Sequence, residues 1–394
     1  MQLAERHIIL DNRFEDVCSK SASLYNFVTY HYRQSLFGKQ EYFSEYEMSS
    51  LCAEFNQEDY RSLPAQTSQQ VIKQVFLSFK SWHRAKKEYS KNPHKFLGKP
   101  KLPKYKKGKK QNVVVFTNQT SKIKDGFIVF PKSTKIAPFP TKVDKGCFKQ
   151  VRIVPQATCY VIEVVYEKEE ISLGLSEENF LSLDLGINNY LTAISNVDSS
   201  FIINGRVIKS FNVWFNKRKA KYQSFVSNKS SNRIRKLVNY RNCWIEDKNH
   251  KISRFIVNYC IENNIGTIII GKNPNWKNEV RMSKVTNQHF VNLPHSKLID
   301  KIRYKASLVG IFVIEKEESY TSKCDSLALE SVKRQESYLG KRKKRGMFQS
   351  STGVLLNADV NGAINIARKV VGDSFVKMIA DSGLVFNPRI ITIV

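Results

Sequence analysis

The order of apolar runs after residue 179 constrains the fold most. FLSLDLGI, YLTAISN and SSFIING read as three short strands in succession, joined by Asn-Asn and Asp-Ser-Ser turns. A long helical stretch follows, from about Lys209 to Asn263. GTIIIG is then a fully apolar strand, SKLIDKIRYKASLVG a helix ending at Gly310, IFVIEKEE another strand and VNGAINIARKVV a closing helix. Three antiparallel strands, a helix, then strand, helix, strand and helix call for a mixed sheet with flanking helices.

Two acidic residues stand out on that frame. Asp184 lies inside an apolar strand, where alternation puts Leu181, Leu183 and Leu185 on one face and Asp184 on the other with Ser182 and Gly186. A mid-strand carboxylate is costly unless something pairs with it. Asp359 precedes a helix in NADVNGAIN, where the ordinary role of an Asp is an N-terminal cap. Brought together from distant segments the two would repel, so their pairing makes sense around divalent metal. In a two-metal nuclease the ions sit roughly 4 Å apart and stabilise the attacking and leaving oxygens of a phosphodiester. Oxygen ligands suit Mg²⁺ or Mn²⁺. The element order is that of the ribonuclease H-like fold, so the expected fold class is α/β.

Charge points to the partner. Of 394 residues, 64 are Lys or Arg against 35 Asp or Glu, a formal net charge of +29. Nucleic acid is the expected counterion. No run of eighteen apolar residues and no basic amphipathic anchor argues for a membrane, and Met1 to Leu10 lacks the apolar core of a signal peptide. A cytoplasmic, nucleoid-associated location is the expectation. Seven scattered cysteines without a CxxC pair read as reduced thiols, so neither a disulfide framework nor a zinc site is expected.

The first half divides by pattern. Residues 13 to 92 are helix-like, with Leu24, Phe27, Val28, Val71, Val75 and Phe79 at three- and four-residue spacing. Residues 80 to 110 hold thirteen Lys or Arg and one acid, Glu88. KNPHKFLGKPKLPKYKKGKK is broken by prolines and reads as an extended basic loop along a phosphate backbone. From 111 to 170, QNVVVFTNQ, GFIVFP, VRIVP and CYVIEVVYE suggest a small barrel. The expected organisation is a nucleic-acid-binding region, 1–178, followed by the domain at 179–394 with a basic insert at about 321–352. Within the first region the barrel takes about 1–12 and 96–178, interrupted by a helical lobe at 13–95.

LSLDLGINNYLTAISN resembles the first RuvC motif of the TnpB (OrfB-type) transposon proteins and of the related type V CRISPR effectors. INGRVIKSFNVWFNKRKAKYQS and HKISRFIVNYCIENNI resemble the strand and helices that follow in that family, and NADVNGAINIARK its third RuvC motif. LYNFVTYHYRQ, YRSLPAQTSQQVIKQV and KNPHKFLGKPKLPKYK are similar to its amino-terminal part. The resemblance implies a RuvC-like nuclease domain, an amino-terminal β-barrel with an inserted helical recognition lobe, a guide RNA from the transposon end, double-stranded target DNA, and cutting by one divalent-metal site. Cations read as nucleic-acid contacts are Lys99, Lys101, Lys104, Lys106, Lys107, Lys217, Arg218, Arg233, Arg235, Lys343 and Arg345.

The chain departs from the family pattern in three places. The second RuvC motif normally ends its strand in Glu-Asp, whereas here Gly271 and Lys272 follow Ile270. GKN-x-x-WK followed by EESYTSK resembles a branch that lacks the usual Glu and keeps acids on the next strand, so Glu317 or Glu318 would supply the third ligand, with Glu279 a further candidate. Alternation alone does not choose between Glu317 and Glu318. Only Cys324 stands where the family's zinc ribbon lies, and its 325 to 352 insert with SVKRQ and GKRKKRGMF reads as a metal-free basic loop. Asn188 takes a position often occupied by Asp. The expected function is RNA-guided DNA cleavage; the alternatives are guided DNA binding without cutting, as in a repressor or decayed transposon product, and an unrelated basic RNA-binding protein. Whether one or two copies assemble is not written in the sequence.

Overall fold

Residues 1–108, 110–227, 230–273 and 294–393 are described by a computed structural model, in two compact units, 1–168 and 169–394. In the first unit, β1 (Gln2–Ile9) leads into α1 (Glu15–Leu36), α2 (Glu45–Glu54), α3 (Glu58–Arg61) and α4 (Ala65–Lys91). The apolar spacing read from the sequence is what buries Leu24, Val28, Val71, Val75 and Phe79 in one core, with Phe27 packed at its margin. Strands follow as β2 (Val114–Thr117), β3 (Lys122–Lys124), β4 (Phe127–Val129), β5 (Phe139–Pro140), β6 (Phe148–Pro155) and β7 (Tyr160–Glu167).

The expected barrel takes a different form. Among the described residues these strands make two separate sheets, an antiparallel one in the order β1-β7-β6-β2 and a small one in the order β3-β4-β5. Strands of two to four residues, such as β3 to β5, are too short to carry a ladder around a closed barrel. The boundary also falls earlier than 178. Ile171 and Leu173 donate their backbone N–H groups to the carbonyls of Leu308 and Val309, which ties the segment after residue 168 to the second unit.

The proline-broken basic stretch forms no regular structure beyond a short 3-10 turn at Pro93–Lys95, as the sequence requires. It is nevertheless fastened to the helices by its backbone. Asn26 exchanges two hydrogen bonds with Lys106, donating to its carbonyl (3.0 Å) and accepting from its N–H (2.7 Å). Trp82 donates to the Pro100 carbonyl, and Arg33 donates to that of Pro103 while lying over the Tyr105 ring.

The second unit is built on β8 (Ser176–Asp184), β9 (Asn189–Ser195), β10 (Phe201–Asn204), α5 (Arg206–Gln223), α6 (Asn232–Glu262), β11 (Ile265–Gly271), α7 (His295–Ser307) and β12 (Phe312–Lys316). β13 (Lys341–Lys344), β14 (Met347–Gln349), β15 (Leu355–Asn357), α8 (Ala358–Val371), α9 (Ser374–Asp381) and β16 (Arg389–Ile391) complete it. Its main sheet runs β12-β11-β8-β9-β10-β16. β9 is antiparallel to β8 and β10, whereas β11 is parallel to both β8 and β12. This mixed α/β sheet has the three antiparallel strands and two further parallel strands expected from the sequence. The long helical stretch is two helices, with Ser231 capping α6 through the Ile234 N–H.

Alternation along β8 divides the two faces as expected. Leu181, Leu183 and Leu185 join the core beneath α6 and α7, and Phe180 and Ser182 face α8, where the Ser182 hydroxyl donates to the Ala363 carbonyl at 2.8 Å. The basic insert is more than a loop. β13 and β14 pair antiparallel, and β14 continues onto β15. Buried Asp325 accepts from the Ser350 and Ser351 hydroxyls and the Ser351 N–H, and Asn361 and Asn365 of α8 donate to the Cys324 carbonyl. The Cys324 thiol is buried against the Ser331 and Lys333 carbonyls. Among the described residues no helix is long and apolar enough to cross a membrane.

Candidate metal centre and nucleic-acid surfaces

At the carboxyl end of β8, Asp184 lies in a recess between the sheet and α8. Gly362, one turn into α8, makes this possible, since a Cβ there would sit 2.6 Å from Asp184 Oδ2. Among the described residues no group donates a hydrogen bond to the Asp184 carboxylate. Burial, then the charges of Glu318 and Asp359, push its pKa well above the usual carboxylate range, and Arg342 opposes them.

Asp359 is not the cap of its helix. The side chain of Asn357 takes that role by accepting from the N–H groups of Asp359 and Val360, which leaves the Asp359 carboxylate free to face β9. There it accepts from Asn189 at 2.6 Å, and Arg342 of β13 approaches its other oxygen at 4.0 Å.

The third acid comes from the chain after β12. Register places Gly271 beside Lys316 and one step beyond the Ile270–Leu183 pair, so position 271 abuts Asp184. Two residues past Lys316 the chain bends, and Glu318 turns its carboxylate into the space left by the missing side chain. A Cβ on Gly271 would lie 2.8 Å from Glu318 Oε2 and 2.5 Å from Cδ1 of Ile366. Asn273 holds this bend in both directions, donating to Glu318 Oε1 and accepting from the Glu318 N–H, each at 3.2 Å. Lys369 of α8 secures it by donating to the carbonyls of Glu317 and Ser319.

Burial raises the Glu318 carboxyl to about 7; nearby Lys369 lowers it and Glu317 raises it. Oε2 is shielded, and nothing among the described residues donates to it. Glu317 is exposed and accepts only from the neighbouring Ser319 hydroxyl. Glu315 is neutralised by Lys272 and Arg303. Glu279 lies outside the described residues.

The donor chemistry fits a hard divalent cation: Asp184 feels the charges of both Glu318 and Asp359, and Glu318 Oε2 has no hydrogen-bond partner among the described residues. Among the described residues, however, no three acidic, His or Cys side chains converge closely enough to ligate one ion. Asp359 is turned toward Asn189 and Arg342 instead.

The cationic residues fall in three places. Lys99, Lys101, Lys104 and Lys107 are exposed along the basic stretch. Lys106 is half-buried, with its ammonium 4.4 Å from the Tyr25 ring centre and its pKa lowered by burial, so it anchors the stretch. Lys217, Arg218, Arg233 and Arg235 are exposed where α5 ends and α6 begins, and Lys343 and Arg345 are exposed on the β13–β14 hairpin. Sequence reasoning passed over Arg342, Asn189 and Asn273. One of the two Arg residues in KRKKR and two ordinary Asn residues carry no signal until the fold sets them beside carboxylates.

The second unit is thus a mixed α/β sheet with an acidic recess at the end of β8, in a chain of net charge +29. Residues 163–277 match the family model OrfB_IS605, described as a probable transposase, and residues 295–366 match the Cas12f1-like TNB domain. The chain is thus similar over these two stretches to OrfB, TnpB-type transposon proteins and to the related Cas12f1 proteins. No curated protein matches it. Among solved structures it is similar to Cas12f1 in a complex with sgRNA and target DNA, at 15% identity over 93% of this chain and 98% of that one, TM-score 0.38. The mini-RNA-guided endonuclease CRISPR-Cas_phi3 is similar at 11% identity over 93% and 92%, TM-score 0.43. CasPhi-2 (Cas12j) bound to crRNA is similar at 9% identity over 93% and 98%, TM-score 0.42.

Proposed function

We propose that this protein is an RNA-guided DNA endonuclease of the TnpB type, hydrolysing phosphodiesters at a RuvC-like, ribonuclease H-derived centre. The observation that carries the reading is the Glu318 carboxylate filling the space at Gly271, where its charge and that of Asp359 both act on Asp184. The family's usual acid is absent from its strand, yet an acid returns to the same place from the neighbouring one. Asp184, Asp359 and Glu318 would hold Mg²⁺ or Mn²⁺, which when bound activates water and stabilises the leaving oxygen. Asn189 orients Asp359, Asn273 orients Glu318, and Arg342 offers a guanidinium to a phosphate drawn into the recess.

Specificity would come from pairing of guide and target, with the protein holding the hybrid by its backbone. In this reading the amino-terminal region, with its fastened basic stretch, and the cationic tips of α5, α6 and the β13–β14 hairpin track phosphates. The test is cleavage of a matched plasmid in Mg²⁺ by the protein co-expressed with its flanking transposon-end RNA. Asp184→Ala and Asp359→Ala are each expected to slow cutting by about 1,000-fold or more while RNA binding is kept. Cutting at the wild-type rate by both variants would remove the site. A wild-type gel shift without strand breaks would support guided binding instead.

A further inference from the structure

Where α5 ends and α6 begins, the surface opens into a groove of about 780 Å³, within the range of roughly 300–1,000 Å³ common for small-ligand sites. Among the described residues its walls carry Lys217, Arg218, Lys221 and Arg233 and no acid. Aromatic faces alternate with these cations. Trp244, Phe211 and Trp214 form a stacked ladder, with ring centres 4.1 and 5.4 Å apart, whose last member is 39% exposed. Phe225 is 74% exposed and has no ring partner among the described residues.

The two guanidinium groups are held in place by an aromatic ring rather than by acids. Arg218 donates to the Tyr222 hydroxyl at 3.0 Å and lies 5.6 Å from the Trp214 ring centre, and Arg233 lies 4.6 Å from that of Tyr222. Among the described residues neither meets a carboxylate, so their charge is unspent. A surface built only to bind duplex phosphates has no use for open ring faces, because paired bases are stacked on one another. An unpaired nucleotide offers both a phosphate for the guanidinium groups and a base face for the rings.

Resting on the nucleic-acid reading above, we infer that this groove captures an unpaired nucleotide of a single strand, its base stacked on Phe225 or Trp214 and its phosphate between Arg218 and Arg233. The experiment uses the full chain, fluorescence anisotropy and three labelled probes: U12, dT12 and a 12-base-pair DNA duplex. Phe225→Ala is the working variant because this ring is exposed and supports no core, and Arg218→Gln is the second. Phe225→Ala is expected to weaken binding of U12, dT12 or both by about 10-fold, as loss of one base–aromatic stack implies, and to leave the duplex within about twofold. Arg218→Gln is expected to weaken single strands and to flatten their salt dependence. Loss with U12 alone would assign the groove to RNA, and loss with both to either strand. Unchanged single-strand binding by Phe225→Ala, or an equal loss on the duplex, would overturn the inference. Failure of the wild type to bind any probe would instead overturn the nucleic-acid reading beneath it.

Discussion

Two glycines and one asparagine decide which acids reach the centre. Gly362 admits the Asp184 carboxylate against α8, Gly271 admits that of Glu318, and Asn357 frees Asp359 by capping the helix in its stead. Restoring a side chain at 271 should therefore harm the site rather than repair it. Gly271→Ala is expected to push Glu318 and Ile366 aside, lower stability by about 1–3 kcal/mol and slow metal-dependent cleavage at least about 10-fold. Thermal unfolding and the plasmid assay read the two effects; a variant as stable and as active as wild type would show that the space is not needed. Of these residues the sequence singled out Asp184 and Asp359, because strand alternation and position before a helix are local signals. Which of Glu317 and Glu318 turns toward Gly271 was not readable, since the strand ends at Lys316 and the period of two ends with it.

At the scale of elements, helices and strands with a buried apolar stripe were readable, and those without one were not. β13, Lys341–Lys344, is exposed at every residue and gives no alternation, so its hairpin reads as a loop. What fixes the insert is a set of buried polar contacts around Asp325, Asn361 and Asn365, which composition does not reveal. The packing of α6 on α7 holds a further polar group out of sight. Lys305 is buried, donates to the His250 carbonyl and the Ser253 hydroxyl at 2.7 Å each, and has its pKa lowered by burial from 10.5 to about 8. Between those two values the unfolded chain holds a proton that the folded one has released, so stability rises with pH across that window; below about 8 both forms are charged and the folded state carries the burial cost. Relative to Lys305→Met, wild-type stability is expected to increase by about 1–2 kcal/mol from pH 7 to pH 9.5. Denaturant unfolding at the two pH values measures this, and parallel behaviour of the two proteins would contradict it.

For the whole molecule, the net charge is +29, while the second unit holds a small acidic recess. Charge and pattern changes add up along a chain, which is why the sequence suggests a nucleic-acid partner and a change of character near the middle of the chain. The sheet order of the first unit and its division from the second at residue 168 were not readable, because strand pairing and hydrogen bonds such as Ile171 to Leu308 join residues far apart in sequence. The central claim is that Glu318 supplies the third carboxylate in place of the family's missing acid. Its most direct measurement is the single-turnover rate of guided plasmid cleavage in Mg²⁺ for Glu318→Gln beside Glu317→Gln. The account expects Glu318→Gln to fall by about 100-fold or more with Glu317→Gln near wild type; wild-type cutting by Glu318→Gln would contradict it.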